Sequence, residues 1–191
     1  MKGVQCRSAG FSLLELLVAL LVVVLVTSMV TLSIGSGDAD LKLDARVRNL
    51  AQVAGYALDE AQMSGVDYGL LLIRERNERG ELVYGYGWRE RRAEGWRQPL
   101  RDEDIFAEQL WQPGLELFLE LEDYVLGTAE MEESRFDAAP QVMLYASGET
   151  TPGAIELRRE DSGEVLWRIE WDLLGRFELL RHGEPEDDYE G

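Results

Sequence analysis

The chain has 191 residues, with 19 basic and 37 acidic side chains for a formal charge of −18, one histidine and one cysteine. A lone cysteine excludes an internal disulfide and a multi-cysteine zinc site, and a lone histidine excludes a paired-histidine metal centre. A field this negative repels nucleic-acid phosphates, which are held by Lys and Arg, so nucleic acid is not the expected partner.

Lys2 and Arg7 lead into an apolar run from Phe11 to Ile34, 24 residues in which Glu15 is the only charge. As a helix it measures roughly 36 Å at about 1.5 Å per residue, enough to cross a hydrocarbon layer of about 30 Å. The basic end is expected in the cytoplasm and everything after Ile34 on the other side. A carboxylate in such a run costs about 2.5 to 3.5 kcal/mol even on lenient insertion scales, so it marks a functional position or a pairing partner. A secretory signal peptide is the competing reading, and Ser33-Ile34-Gly35 supplies its small-x-small site. The run is too long for an ordinary signal, however, and a glutamate five residues into it has no place there.

Gly10-Phe11-Ser12-Leu13-Leu14-Glu15-Leu16-Leu17-Val18-Ala19-Leu20 resembles the class III signal of type IV pilins and of the pseudopilins of type II secretion. The resemblance implies cleavage between Gly10 and Phe11 by a prepilin peptidase, N-methylation of Phe11, and an assembly role for Glu15 opposite the new amine of an adjacent subunit. Gly10 lacks a Cβ and can lie close in a protease cleft. The amine at Phe11 would stand one helical turn from Glu15, within reach of charge compensation. The plainer alternative is a carboxylate favoured at a helix N-terminus. Residues 1–10 are then a leader that carries off Cys6, residues 11–34 the membrane and assembly helix, and residues 35–191 a periplasmic domain. A mature chain without thiols cannot form the C-terminal disulfide loop of many fibre pilins, which favours a pseudopilin.

After residue 34 the totals, less Lys2, Arg7 and Glu15, leave 17 basic and 36 acidic residues, a net −19. Such charge keeps a domain soluble. Gly35-Ser36-Gly37-Asp38 predicts an interruption, with Ser36 or Asp38 as a cap. Helical periodicity resumes through Leu43, Val47, Leu50, Ala54, Ala57 and Ala61, giving an amphipathic helix over 35–65 whose stripe needs a sheet to cover it. Residues 66–191 read as β-rich. Alternation at Leu82 to Trp88, Leu115 to Leu121 and Val165 to Trp171 predicts half-buried strands, with shorter candidates at Tyr68 to Arg74, Gln141 to Tyr145, Ala154 to Arg159 and Arg176 to Leu180. The fold class is α+β, a long N-terminal helix packed on antiparallel sheets.

Asp44-Ala45-Arg46-Val47-Arg48-Asn49-Leu50, the passage Ala61 to Leu70, the segment Val142 to Leu157, and Trp167-Arg168-Ile169-Glu170-Trp171 with Leu174-Gly175-Arg176 resemble the H-type minor pseudopilins. Fibre-associated minor pilins of the FimT type share the later motifs, and Asn77 to Ala139 matches poorly. The resemblance implies a structural subunit at or near the tip of a periplasmic pseudopilus, supporting export of folded proteins across the outer membrane. It would be a single-pass protein of a Gram-negative inner membrane with its domain in the periplasm. The partners implied are other minor and major pseudopilins, the prepilin peptidase, the inner-membrane assembly platform and secreted protein substrates. A FimT-like minor pilin of a surface fibre is the alternative, and a membrane-anchored periplasmic enzyme a distant third.

No catalytic residues, cofactor or metal are expected. His182 lies in a polar tail and is expected to be exposed. Asp102-Glu103-Asp104 and Glu186-Asp187-Asp188 lack the calcium-loop signature, and solvated charge is the favoured reading. Tyr84, Tyr86 and Trp88 read as core packing rather than a sugar platform. Arg89, Arg91 and Arg92 could form a local basic patch. The acidic stretch 122–140 is either a solvated loop or a contact for another minor pseudopilin or a substrate.

Overall fold

The computed structural model describes residues 13–102, 104–122, 124–126 and 138–185, apart from the side chains of 26–39 and Tyr124. Gly10, Phe11, Cys6, Glu103, residues 127–137 of the acidic stretch and Glu186-Asp187-Asp188 lie outside the described residues. The chain divides into two compact units, the boundary falling between Lys42 and Leu43.

One helix, α1 (Leu13–Ser64), contributes to both units. Its helical backbone runs through Gly35-Ser36-Gly37-Asp38, so the interruption expected there is absent and neither Ser36 nor Asp38 begins a new helix. Each mid-helix glycine costs about 0.5 to 1 kcal/mol against alanine. With helix already formed on both sides, propagation continues where nucleation would have failed. The end is set by Gly65, whose φ of +69° and N–H donation to the Ala61 carbonyl at 2.9 Å form a left-handed C-terminal cap.

In the second unit the stripe behaves as its spacing requires. Leu43, Val47, Leu50, Ala54, Ala57 and Ala61 are all buried, and Val53 and Leu58 widen it. Each large aliphatic side chain contributes roughly 1.5 to 3 kcal/mol by leaving water. The strands among the described residues are β1 (Tyr68–Arg76), β2 (Leu82–Arg92), β3 (Gly95–Arg97), β4 (Gln109–Leu110), β5 (Leu115–Leu121), β6 (Tyr124–Leu126), β7 (Val142–Leu144), β8 (Gly153–Arg159), β9 (Val165–Trp171), β10 (Phe177–Arg181) and β11 (Glu184–Pro185). They form two antiparallel sheets. The first has the order β3-β2-β1-β7 with β4 also paired to β2, and the second the order β11-β10-β9-β8-β5-β6. Both sheets share one core with the helical stripe, built from residues such as Leu50, Trp88, Leu117, Ile155 and Ile169.

The second sheet keeps the expected alternation. In β5, Leu115, Leu117, Leu119 and Leu121 are buried, while Glu116 and Phe118 are half-buried and Glu120 is exposed. The first sheet departs from it: Tyr68 to Ile73 and Val83 to Arg89 are buried without a break. The cause is a second cover. Leu110 and Ala138 pack on Leu71 and Ile73, and glycines leave room for the covering backbone. A Cβ at Gly85 would strike the Gln109 carbonyl oxygen, and one at Gly69 would strike Pro140. Strands covered on both faces lose the period-two signature.

Candidate assembly interface

The N-terminal unit presents side chains that its own chain does not cover. From Leu13 to Leu25 every large apolar residue is 50 to 82 % exposed, all round the helix. A helix apolar on every side is stable only in lipid or among other helices. Glu15 lies in the first turn of α1 and is exposed among these leucines. That turn carries the positive end of the helix dipole, which favours a carboxylate. Among the described residues no helix is long and apolar enough to cross a membrane. The apolar side chains are described only to Leu25, whereas the sequence run continues to Ile34.

In the second unit the arginine run does not make a basic patch. Arg89 is fully buried: its Nη1 donates to the Trp88 carbonyl at 2.9 Å and its Nη2 to Glu108 Oε1 at 2.8 Å. Arg91 lies over the Trp96 ring at 5.2 Å, and Arg92 is paired with Glu90. Each guanidinium is thus drawn to a partner on its own sheet or the strap beside it. The strap, residues 98–108 between β3 and β4, was not anticipated from sequence. Phe106, its apolar anchor, lies 5.6 to 6.1 Å from the Tyr56, Tyr68 and Trp88 rings. Asp102 is exposed, as expected of solvated charge, and accepts a 2.6 Å hydrogen bond from Tyr56 Oη. Tyr84, Tyr86 and Trp88 are core residues, and His182 is exposed, its Nδ1 3.2 Å from the Val165 carbonyl.

The outer face of the second sheet carries the densest ionic network. Arg168 of β9 reaches Glu120 of β5 at 2.9 Å, Glu156 of β8 at 3.2 Å and Glu170 on its own strand at 2.5 Å. Arg158 pairs with Glu156 and covers the Phe118 ring at 4.6 Å. The only hint of this in sequence is the recurrence of Glu and Arg at alternate positions of β5, β8 and β9.

Comparison with known proteins follows the same lines. Residues 6–35 match the family model described as the prokaryotic N-terminal methylation motif. The type II secretion system protein H of Pseudomonas aeruginosa is 30 % identical over 164 residues, covering 83 % of this chain and 88 % of that protein. Its namesake in Aeromonas hydrophila is 27 % identical over 191 residues, covering 95 % and 98 %. Among solved structures, the minor pseudopilin EpsH of the Vibrio cholerae type II secretion system aligns with a TM-score of 0.54 at 23 % identity, over 75 % of this chain and 94 % of that one. The E. coli GspH solution structure aligns at 0.52 and 16 %, over 79 % and 94 %. These two likenesses confirm the α+β pilin-like fold. On sequence and coverage together, the chain belongs to the type II secretion system protein H family, the H-type minor pseudopilins.

Proposed function

We propose that this minor pseudopilin is cut between Gly10 and Phe11 by a prepilin peptidase, N-methylated at Phe11, and held in the inner membrane by the run from Phe11 to Ile34 with its sheet domain in the periplasm. It joins other minor and major pseudopilins through the helix, at or near the tip of the periplasmic pseudopilus, and supports export of folded proteins across the outer membrane. The assembly platform of the inner membrane is its base, and secreted proteins are candidate contacts of its domain. Its role is structural rather than enzymatic.

The observation that carries this reading is the exposed apolar helix start holding one carboxylate. Apolar side chains explain residence in lipid and then among packed helices. Glu15 supplies the single charge of the run, set in the first turn of the helix. The cationic amine of Phe11 on a neighbouring subunit is its proposed partner, and the pair would fix the axial step as subunits leave the membrane.

Intact mass spectrometry of the membrane-extracted protein is expected to give a chain starting at N-methyl-Phe11; a start at Ser36 would return the segment to a secretory signal. Glu15→Ala is expected to be processed normally yet recovered with cross-linked pseudopili at about a tenth of the wild-type level or less, the effect of leaving a charge unpaired in an apolar site. Equal recovery would remove the charge-pairing account. Deletion of the gene is expected to abolish secretion and spare twitching; the reverse pattern would point to a surface-fibre pilin.

A further inference from the structure

The turn between β9 and β10, residues 172–176, reverses the usual distribution of side chains. Leu173 and Leu174 stand in water, 50 % and 59 % exposed, while the residue set against the core is Gly175, where a Cβ would strike Leu58 of α1 and crowd Thr150. Turns are ordinarily polar, and adjacent exposed leucines are a fault in patterning unless they serve a partner. The turn is also held rigidly. Thr150, 1 % exposed, directs both its donors to it: the N–H donates to the Leu173 carbonyl and the hydroxyl to the Asp172 carbonyl, each at 2.8 Å. The Asp172 carboxylate accepts the N–H groups of Leu174 and Arg176 at 3.0 Å each. A backbone fixed in this way loses little freedom when its leucines are covered. Other bare apolar residues share the same end of the domain. Leu58 begins the last two turns of α1, in which Met63 is 84 % exposed, and Gly148 of the turn that starts at the part-exposed Tyr145 lies against Gln62. This end of the second unit lies about 20 Å along α1 from Leu43, where the unit begins.

We propose that the Leu173-Leu174 turn is the contact for the sheet domain of a different pseudopilin, seated beyond the C-terminal end of α1. The inference rests on the pseudopilin reading above and adds to it a second surface, separate from the apolar helix. A second copy of this chain is a poor occupant, because the open grooves on its second sheet are lined largely by charged side chains such as Glu120, Glu156, Arg168 and Glu170 and give bare leucines no apolar recess. A secreted protein has to be let go, whereas rigid apolar contacts suit neighbours that stay together.

The test places the photo-cross-linking residue benzoylphenylalanine at Leu174 of the full-length chain in secreting cells, with parallel placements at Leu20 of the apolar helix and at Leu100, a still more exposed leucine on the strap. Leu174 is expected to give an adduct with a different pseudopilin, identified by mass spectrometry, in about tenfold higher yield than Leu100. Leu173→Ser/Leu174→Ser is expected to be processed to N-methyl-Phe11 and to melt with the wild type in non-ionic detergent, while the pseudopilins recovered with it fall about tenfold. Adducts from Leu20 with none from Leu174 would overturn this contact and leave the pseudopilin reading standing; absence of both would overturn the two together. Equal yield from Leu100, or an adduct to a second copy, to lipid or to a secreted protein, would also overturn the contact. So would unchanged recovery of pseudopilins with the double variant, or a lowered melting temperature for it, which would assign the leucines to the domain's own packing.

Discussion

Arg89 shows how far a side chain's meaning depends on what the fold places beside it. In sequence it heads a basic run; in the structure it is sealed beneath the strap and tied to Glu108. A buried guanidinium left without its carboxylate costs about 3 to 5 kcal/mol. Glu108→Ala is therefore expected to destabilise the domain by about that amount, measured as a shift of the urea midpoint at constant slope. Loss of less than 1 kcal/mol would mean that Arg89 has found water or another acceptor. Asp102 follows the same logic on a smaller scale: its bond raises the Tyr56 phenol above its ordinary value.

At the level of elements, the amphipathic half of α1 was the most legible feature, because six positions at steps of four and three fix a face regardless of what covers it. All six are buried. Leu50→Ala is expected to cost about 2 to 5 kcal/mol, read from thermal or urea unfolding; a cost under 1 kcal/mol would mean the stripe is not closely packed. The principal strands were equally legible where only one face is covered, as in β5. What could not be read was the second layer over β1 and β2. Alternation reports one covered face and falls silent when both are covered, and the covering residues, Leu110 of β4 and Ala138, lie outside any period. The short strands β3, β4, β6 and β11 were missed for the related reason that two or three residues carry no period at all. The Gly35 to Asp38 stretch misled in the opposite direction, since glycine lowers helix propensity without forbidding helix. At the candidate assembly site, Glu15 was legible because a charge in an apolar run stands out. The ionic network around Arg168 on the second sheet was not, since its members come together only through strand register.

For the molecule as a whole, two buried phenols shape the response to alkaline pH. Tyr86 is pushed up to about 12 by burial, and Tyr68 to about 12 by burial reinforced by Glu90. Their stabilising effect is complete below pH 10, the ordinary phenol value, because both states are then protonated. Between pH 10 and 12 the unfolded chain ionises first and stability falls. Melting temperatures are expected to drop across that window, and Tyr86→Phe is expected to flatten the decline; an unchanged slope would assign the loss to other groups that titrate there.

The register of the first sheet also governs time. Tyr68 pairs with Leu144, and only after most of the domain has been made can β7 close the edge of β1. The helical stripe, synthesised earlier, must wait for strands that come last, including β9, whose Trp167 and Ile169 belong to its core. Pairings this distant along the chain place folding in the millisecond-to-second range rather than the microsecond range of helical bundles. During that interval the stripe is bare and prone to association. Threading the N-terminal helix into a bilayer first would separate nascent chains from one another while the sheets assemble.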